Sequence, residues 1–173
     1  DSITLQYCTA AGGNTLYGIS SVQLGTLIQF SGTDPYYDFS NCAADVTVGT
    51  PIQVIVTITN SFSTQQLLVW VDWNDNKTFE SGEQVYDSGI GGATQYSFSI
   101  TPPSGTSAGL KRVRIRYHIT SSGPNTTPCG TSSHGEVQDF SLHVISSSCQ
   151  AVNITTDPIN QSTCNTSGVY LGV

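Results

Sequence analysis

Apolar and polar residues alternate with a period of two along most of this chain, and no segment shows the 3.6-residue spacing of an amphipathic helix. Residues 52–59 are the clearest case, with Ile or Val at positions 52, 54, 56 and 58. The same pattern predicts strands over 22–30, 52–59, 66–73, 94–100, 111–119 and 136–145. Turns rich in Gly and Pro separate these segments. The sequence therefore predicts an all-β fold, an antiparallel β-sandwich of the immunoglobulin or jelly-roll kind.

The sandwich is expected to occupy residues 1–146, because the composition changes after three consecutive serines at 146–148. Residues 147–173 are rich in Ser, Thr and Asn, and they contain few large apolar side chains before 169–173. We interpret them as a short C-terminal extension that ends in a candidate β-strand.

Charge and hydropathy each exclude one class of partner. The 173 residues carry a net charge of −7, and only 10% of them are charged. Nucleic-acid-binding proteins need a basic surface, so that class is excluded. We also exclude membrane insertion, because no apolar run approaches the length of a membrane span.

Cysteine usage indicates an extracellular protein. The cysteines are Cys8, Cys42, Cys129, Cys149 and Cys164. They form no C-x-x-C pair, so disulfides are a better interpretation than a metal site, and disulfides persist outside the cytoplasm. We predict a bridge between two of Cys8, Cys42 and Cys129. The other pairings stay open, and the odd count leaves one thiol free or paired with another chain.

Residues 72–83 space oxygen-bearing side chains as a calcium-binding loop does. With Asp72 as position 1, side-chain oxygens fall at positions 1, 3, 5, 9 and 12, and position 7 can supply its main-chain carbonyl. The candidate ligands are Asp72, Asn74, Asn76, Thr78, Glu80 and Glu83. Lys77 occupies position 6, where glycine is usual. A polar hairpin loop rich in Asn and Asp is the alternative, and we predict that calcium binds here.

Asparagine sequons offer sites for glycosylation. Five N-x-Ser/Thr tripeptides begin at Asn76, Asn125, Asn153, Asn160 and Asn165. Three of them fall in the extension. Each is a candidate for N-linked glycan in a secreted protein.

Motifs typical of catalysis are not supported by their context. Residues 105–109 match G-x-S-x-G, but they follow two prolines and lead into a strand rather than a helix. His118, His134 and His143 are scattered and lack any metalloprotease spacing. The sequence therefore predicts a protein that is not an enzyme.

The last predicted strand opens with Gly135-Glu136-Val137-Gln138-Asp139. Together with the loop at 72–83, this strand resembles the GEVED domain of secreted and surface-anchored bacterial proteins. Other segments match the family in order: Tyr7-Cys8, the Tyr-rich turn Tyr36-Tyr37-Asp38-Phe39, the strand entering the loop at 69–74 and the Arg-bearing strand at 109–117. The resemblance implies a non-catalytic extracellular β module.

Charged residues on the last two predicted strands favour ion pairs between them. Glu136 and Asp139 are expected to pair with Arg114 or Arg116, because Arg–carboxylate pairs are often bidentate and opposite charges help to set strand register. The alternative is that the arginines line a solvated face.

The ends of the chain suggest how such a module is used. Ile3, Leu5 and Tyr7 alternate with polar residues at one end, and Val169, Leu171 and Val173 alternate at the other. An amphipathic terminal strand can complete the sheet of a neighbouring copy. We therefore expect a structural or adhesive module at the cell surface, a repeating subunit of a filament whose partners are copies of itself. An ordinary edge strand is the alternative.

Two further functions stay open. One is an accessory module of a secreted protease or glycoside hydrolase. The other is a carbohydrate-binding module whose glycan would stack on Tyr36, Tyr37 and Trp73.

Overall fold

The computed structural model describes residues 6–13 and 16–146, and these form two packed sheets with one small additional sheet. In chain order the strands are β1 (Ala10–Ala11), β2 (Gly18–Leu24), β3 (Leu27–Phe30), β4 (Tyr36–Thr47), β5 (Ile52–Thr59), β6 (Gln65–Val71), β7 (Gln84–Asp87), β8 (Gln95–Ile100), β9 (Gly109–Ile119), β10 (Gly130–Thr131) and β11 (Gly135–Ile145). A short 3-10 helix spans Ser81–Glu83. The predicted β-sandwich is confirmed.

The four-stranded sheet has the order β3-β2-β5-β8, with every neighbour antiparallel. Its central strand β5 follows the predicted alternation, with Val54 and Val56 completely buried. The prediction of one strand over 22–30 is wrong. Gly25 has φ of 58° and turns the chain back, so that β2 and β3 form a hairpin.

The five-stranded sheet has the order β4-β11-β9-β6-β7. Every residue of β6 is buried, as its two-sided apolar pattern predicts. The sequence missed β4, whose first residues we interpreted as a turn. That strand lies at the sheet edge and pairs in parallel with β11, so the sandwich is not antiparallel throughout. As an edge strand it buries few apolar side chains, Ala44 and Val46 among them, which explains its weak signal.

Two apolar clusters hold the molecule together. The larger lies between the sheets and includes Val54, Val69 and Phe140. A smaller cluster lies on the outer face of the five-stranded sheet, where Trp70 of β6 packs with Phe79 from the loop after that strand. The loop and the sheet therefore share a core of their own.

Several sequence predictions lie outside the described residues. These are the terminal side chains Ile3, Leu5, Val169, Leu171 and Val173, the cysteines Cys149 and Cys164, and the sequons at Asn153, Asn160 and Asn165. Within 6–13 and 16–146, no helix has the length and apolar character needed to cross a membrane.

Candidate functional site

The N-terminal segment (residues 6–13) crosses the outer face of the five-stranded sheet. A disulfide joins Cys8 to Cys129, 121 residues apart in sequence, with the two Cα atoms 5.6 Å apart. Just beyond it, β1 pairs in parallel with β10. The bridge predicted among three cysteines is thus Cys8–Cys129, and Cys42 on β4 is a free, half-buried thiol.

Arg114 and Asp139 form a buried ion pair beneath this segment. They face each other across β9 and β11, and Arg114 Nε and one terminal nitrogen each donate to an Asp139 carboxylate oxygen at 2.7 Å. The other terminal nitrogen donates to the main-chain carbonyls of Cys8 and Pro128 at 2.9 and 3.0 Å. Burial alone would lower the pKa of Arg114, but Asp139 outweighs it and raises that pKa. The Arg114 guanidinium therefore joins β11 to both of the chain segments that the disulfide links, at Cys8 and at Pro128.

Arg116 and Glu136 do not take the predicted partners. Arg116 is fully buried and donates to main-chain carbonyls, at 2.8 Å to Gly130 and 3.4 Å to Ala11. Burial and then the charge of Arg114 lower the pKa of Arg116 to about 10. Glu136 lies on the opposite face of β11 from Asp139, because an odd number of positions along a strand reverses the side-chain direction.

Between the two sheets, Glu136 ties β11 to β2. One carboxylate oxygen accepts the main-chain N–H of Ile19 at 3.0 Å, and the other accepts the amide of Gln138. Gln138 also donates to the hydroxyl of Ser31 at 2.7 Å. Burial raises the pKa of Glu136 to about 7, although these hydrogen bonds oppose the shift.

The loop at 72–83 is organised around two carboxylates. Asp72 is fully buried and accepts the main-chain N–H groups of Asn76 and Lys77 at 3.2 and 2.9 Å. Glu83 accepts the N–H groups of Trp73 and Glu80 at 2.8 and 3.0 Å, and so closes the loop from its other end. Burial raises the pKa of Glu83 against the effect of these bonds.

Lys77 adopts the backbone conformation that calcium loops usually assign to glycine at this position. Its φ is 67°, and that of Asp75 is 60°. The sharp turn is therefore present although the glycine is missing. A side chain in this region of φ costs about 1–2 kcal/mol.

The donor types of this loop fit a hard cation. In the part of the chain that the structure describes, no three His, Cys, Asp or Glu side chains converge as a metal-binding cluster. A cation in this loop would therefore depend on the neutral oxygens of Asn74, Asn76 and the Thr78 main chain, together with Asp72 and the loop glutamates. Both asparagine amides donate to Glu80, at 2.9 and 2.6 Å, which draws positions 3 and 5 towards position 9.

Tyr7 connects the N-terminal segment to this loop. Its hydroxyl donates to Asp72 at 2.7 Å, and its ring stacks on Phe79 with centroids 5.2 Å apart. Burial and then Asp72 raise the pKa of the Tyr7 hydroxyl, so it stays a donor.

A cleft of about 510 Å³ opens beside Tyr7, between the N-terminal segment and β4. Its floor is formed by Arg112, Arg114 and Asp139, and Asp38 of β4 forms part of its wall. Tyr36 donates to Asp139 at 3.0 Å from the same wall. The cleft therefore lies between β4, an edge strand that the sequence did not predict, and the loop at 72–83, which it did predict.

A known protein family matches the segment that carries most of the residues described above. Residues 66–143 match the family model of the GEVED domain. The family resemblance of the sequence is confirmed. The GEVED match extends from β6 into β11 and includes the loop at 72–83. The N-terminal segment and β4, which complete the cleft, precede it.

Solved structures similar to this chain share little sequence with it. A chitin-binding domain from Burkholderia pseudomallei is 11% identical, with a TM-score of 0.42, and the match covers 60% of this chain and 57% of that domain. A Pyrococcus furiosus CARDB domain in complex with di-metal ions is 13% identical, with a TM-score of 0.37, over 74% of this chain and 89% of that one. The reeler domain of human F-spondin is 17% identical, with a TM-score of 0.34, over 83% and 100%. No curated protein matches the chain.

The predicted stacking platform is not a single surface. Tyr37 stacks on Phe39, with centroids 5.4 Å apart, and its hydroxyl accepts the N–H groups of Gly32 and Asp34. Trp73 is half-buried and packs against the core between the sheets. Of the three proposed aromatic residues, Tyr36 alone lines the cleft.

The two sequons that lie within the described residues differ in the hydrogen bonds that their asparagine side chains make. Asn125 donates to the main-chain carbonyls of Cys129 and Thr131 at 2.8 and 3.1 Å, so a glycan there would have to replace bonds that hold β10. Asn76 lies on the exposed loop, and its amide donates to Glu80.

Proposed function

We propose that this protein is a non-catalytic extracellular module with a structural or adhesive role. The observation that carries the proposal is the clamp on the N-terminal segment. The Cys8–Cys129 disulfide bonds this segment to the chain just before β10, and Arg114 and Arg116 of β9 donate to its main-chain carbonyls at Cys8 and Ala11. The ion pair with Asp139 holds Arg114 in place for these contacts. A disulfide is typical of proteins outside the cytoplasm, which supports the extracellular location that we propose.

This arrangement resists separation of the N-terminal segment from the sheet. Both buried guanidinium groups direct donors to main-chain carbonyls, and Arg114 also binds Asp139, whereas Arg116 Nε has no partner among the described residues. These contacts stabilise the fold rather than activate a substrate. Such use of buried charge favours a structural module over an enzyme.

The finer proposal is a repeating subunit of a fibre, joined through terminal strands. A strand added to a neighbour's sheet gains main-chain hydrogen bonds and buries its apolar side chains, each worth about 1.5–3 kcal/mol when fully buried. Tyr7 packs on Phe79 of its own domain. The segments offered for exchange are therefore residues 1–5 and 169–173.

Electron microscopy of the full chain and of two truncations tests the fibre. Deleting 1–5 or 169–173 should abolish filaments for the end that donates the strand, while both variants keep the melting temperature of the domain. A Cys42→Ser variant is the matched control, because it removes the free thiol and leaves both ends intact. If both truncations assemble as the full chain does, or if the full chain does not assemble, the fibre proposal is wrong.

An accessory or carbohydrate-binding module is the alternative function. The dispersed positions of Tyr36, Tyr37 and Trp73 do not favour glycan stacking on those three rings. Glycan-array binding that is lost in Trp73→Ala would favour this alternative over the structural role.

We also propose that calcium binds the loop at 72–83. The turn at Lys77 and the spacing of oxygen-bearing side chains along the loop support it. Calcium would then stabilise the loop on which Tyr7 and the N-terminal segment rest.

A further inference from the structure

The cations that reach solvent are concentrated at one place on this acidic molecule. The chain has five Lys and Arg residues, and Lys111, Arg114 and Arg116 are at most 2% exposed. The side chains of Lys77 and Arg112 are 35% and 21% exposed. Both line the cleft of about 510 Å³ beside Tyr7. Every solvent-reaching Lys or Arg of this chain therefore faces the same cleft.

Aromatic stacking holds these cations in position. The Arg112 guanidinium carbon lies 4.8 Å from the centroid of the Tyr7 ring, and Lys77 Nζ lies 5.5 Å from it. The Tyr7 ring stacks in turn on Phe79, and Arg114 lies 5.0 Å from the Phe79 centroid. Since the disulfide at Cys8 restrains the preceding residue, Tyr7, the cations are positioned before any ligand arrives, which lowers the entropy cost of binding.

Each of these cations already has a carboxylate neighbour, and a ligand would have to compete with the pairs that reach solvent. Arg112 lies 3.3 Å from Asp139, whose oxygens already accept both bonds of Arg114. Its other acidic neighbour, Asp38, is 3.8 Å away and 54% exposed. Lys77 pairs with Asp75, which is 46% exposed. Exposed ion pairs of this kind are worth about 0–1 kcal/mol, so a ligand carboxylate can replace them.

We propose that this cleft binds the carboxylate of an acidic saccharide, a uronate unit of a polysaccharide. Arg112 and Lys77 would receive the carboxylate, because a guanidinium binds it in bidentate fashion and the ammonium adds a second positive charge. Asp38 would accept hydrogen bonds from ring hydroxyls, and the Tyr36 hydroxyl oxygen can accept another. A neutral sugar would leave the cations unused, and an acidic peptide would place its own charges against Asp38. This inference rests on the adhesive part of the proposed function and gives it a ligand class.

Isothermal titration with trigalacturonate, in EDTA and low salt, tests the proposal. Its fully methyl-esterified form is the matched probe, because it keeps the rings and removes the charge, and triglutamate is the peptide probe. We expect saturable binding of trigalacturonate, and binding about tenfold weaker or more for the methyl ester and for Arg112→Gln and Lys77→Gln, since one charged hydrogen bond is worth at least that factor. His143→Gln, a change on an exposed residue outside the cleft, should bind as the native protein does.

Three results would overturn the proposal. These are no heat of binding with trigalacturonate, equal affinity for the methyl ester, and unchanged affinity in every cation variant that folds. Binding of triglutamate alone would assign the cleft to acidic peptides instead. Lys77 lies on an exposed loop, so its variant keeps the test decisive even if Arg112→Gln unfolds. Failure here leaves the outcome of the fibre experiment unaffected, because the terminal truncations remove no residue of the cleft.

Discussion

At the scale of single residues, the arginines of β9 show how a guanidinium can organise a β-sandwich. Arg114 combines a bidentate carboxylate pair with two carbonyl contacts, and Arg116 reaches the carbonyls of Ala11 and Gly130. A lysine has three donors on one nitrogen and could not span these partners. The planar guanidinium group, with donors on three nitrogens, is therefore what joins the N-terminal segment to the sheet.

The Arg114–Asp139 pair leads to a stability prediction. Asp139→Asn should lower the free energy of unfolding by about 3–5 kcal/mol, because it leaves the buried guanidinium without its counter-charge. Asp38→Asn is the matched control, since it makes the same change at an exposed carboxylate, and it should cost no more than about 1 kcal/mol. Urea denaturation measures both. Equal losses in the two variants would contradict the role assigned to Asp139.

At the scale of elements, the N-terminal segment covers part of the outer face of the five-stranded sheet and is attached to the domain at three points. Tyr7 contacts the loop at 72–83, Cys8 is bonded to Cys129, and β1 pairs with β10. Together these contacts bury Arg114 and Arg116, which would otherwise face water on the outside of the sheet. The segment is thus part of the domain although it lies far from the GEVED segment in sequence.

The disulfide should be the strongest of the three attachments. Replacing Cys8 and Cys129 together by Ser should lower the free energy of unfolding by about 2–5 kcal/mol, because the bridge restricts a long loop in the unfolded chain. Cys42→Ser should have little effect, since that thiol is free and half-buried. Denaturant midpoints under non-reducing conditions measure both changes. A double variant as stable as the native protein would show that the bridge does not hold this segment.

The loop at 72–83 should respond to calcium. Millimolar calcium should raise the melting temperature relative to EDTA, because a ligand at about 100 times its Kd stabilises the folded state by about 2.7 kcal/mol. Glu83→Gln should reduce the shift. Lys77→Gly should increase it, since the variant removes a positive charge and suits the φ of 67°. Identical midpoints with and without calcium in all three proteins would exclude a calcium site.

At the scale of the whole molecule, two buried ionisable groups act on stability in opposite directions. His118, on the outer face of β9, interacts through its ring nitrogens with Gln66 and with the N–H of Asn125. Burial and then Arg116 lower its pKa from 6.5 to about 4. Glu136, between the sheets, has its pKa raised by burial from 4.5 to about 7.

The His118 and Glu136 shifts should largely cancel each other in the dependence of stability on pH. The His118 contribution is present above pH 6.5 and is lost as pH falls towards 4, because the unfolded chain then binds the proton more tightly. The Glu136 contribution is present below pH 4.5 and is lost as pH rises through 7, so the two oppose each other. Glu136→Gln should therefore make stability rise with pH across this range, and His118→Gln should make it fall. Denaturation at pH 4.5, 5.5, 6.5 and 7.5 measures the slopes, and parallel profiles for all three proteins would contradict this account.

Much of the candidate site could be predicted from local sequence. The oxygen spacing of the loop at 72–83, the Arg-bearing strand and the opening of β11 are all contiguous, so their residues are found without knowing the fold. Tyr7 and Phe79 were missed as a pair, because they come from segments that are far apart in sequence and meet only in the folded structure. The odd spacing of Glu136 and Asp139 was a signal that could have placed them on opposite faces of β11.

The sequence by itself determined the β-sandwich, the positions of its central strands and the calcium-like loop. Alternation and turn residues are local properties, and burial of one face of β5 and of both faces of β6 leaves these strands little freedom. Only the tertiary structure decided which cysteine pairs with Cys8, that β4 joins the sheet in parallel, and that Lys77 and Arg112 meet at one tyrosine ring. These features depend on contacts between residues tens to more than a hundred positions apart, and such contacts form only when the hydrophobic burial of the whole core outweighs the entropy of closing the loops between them.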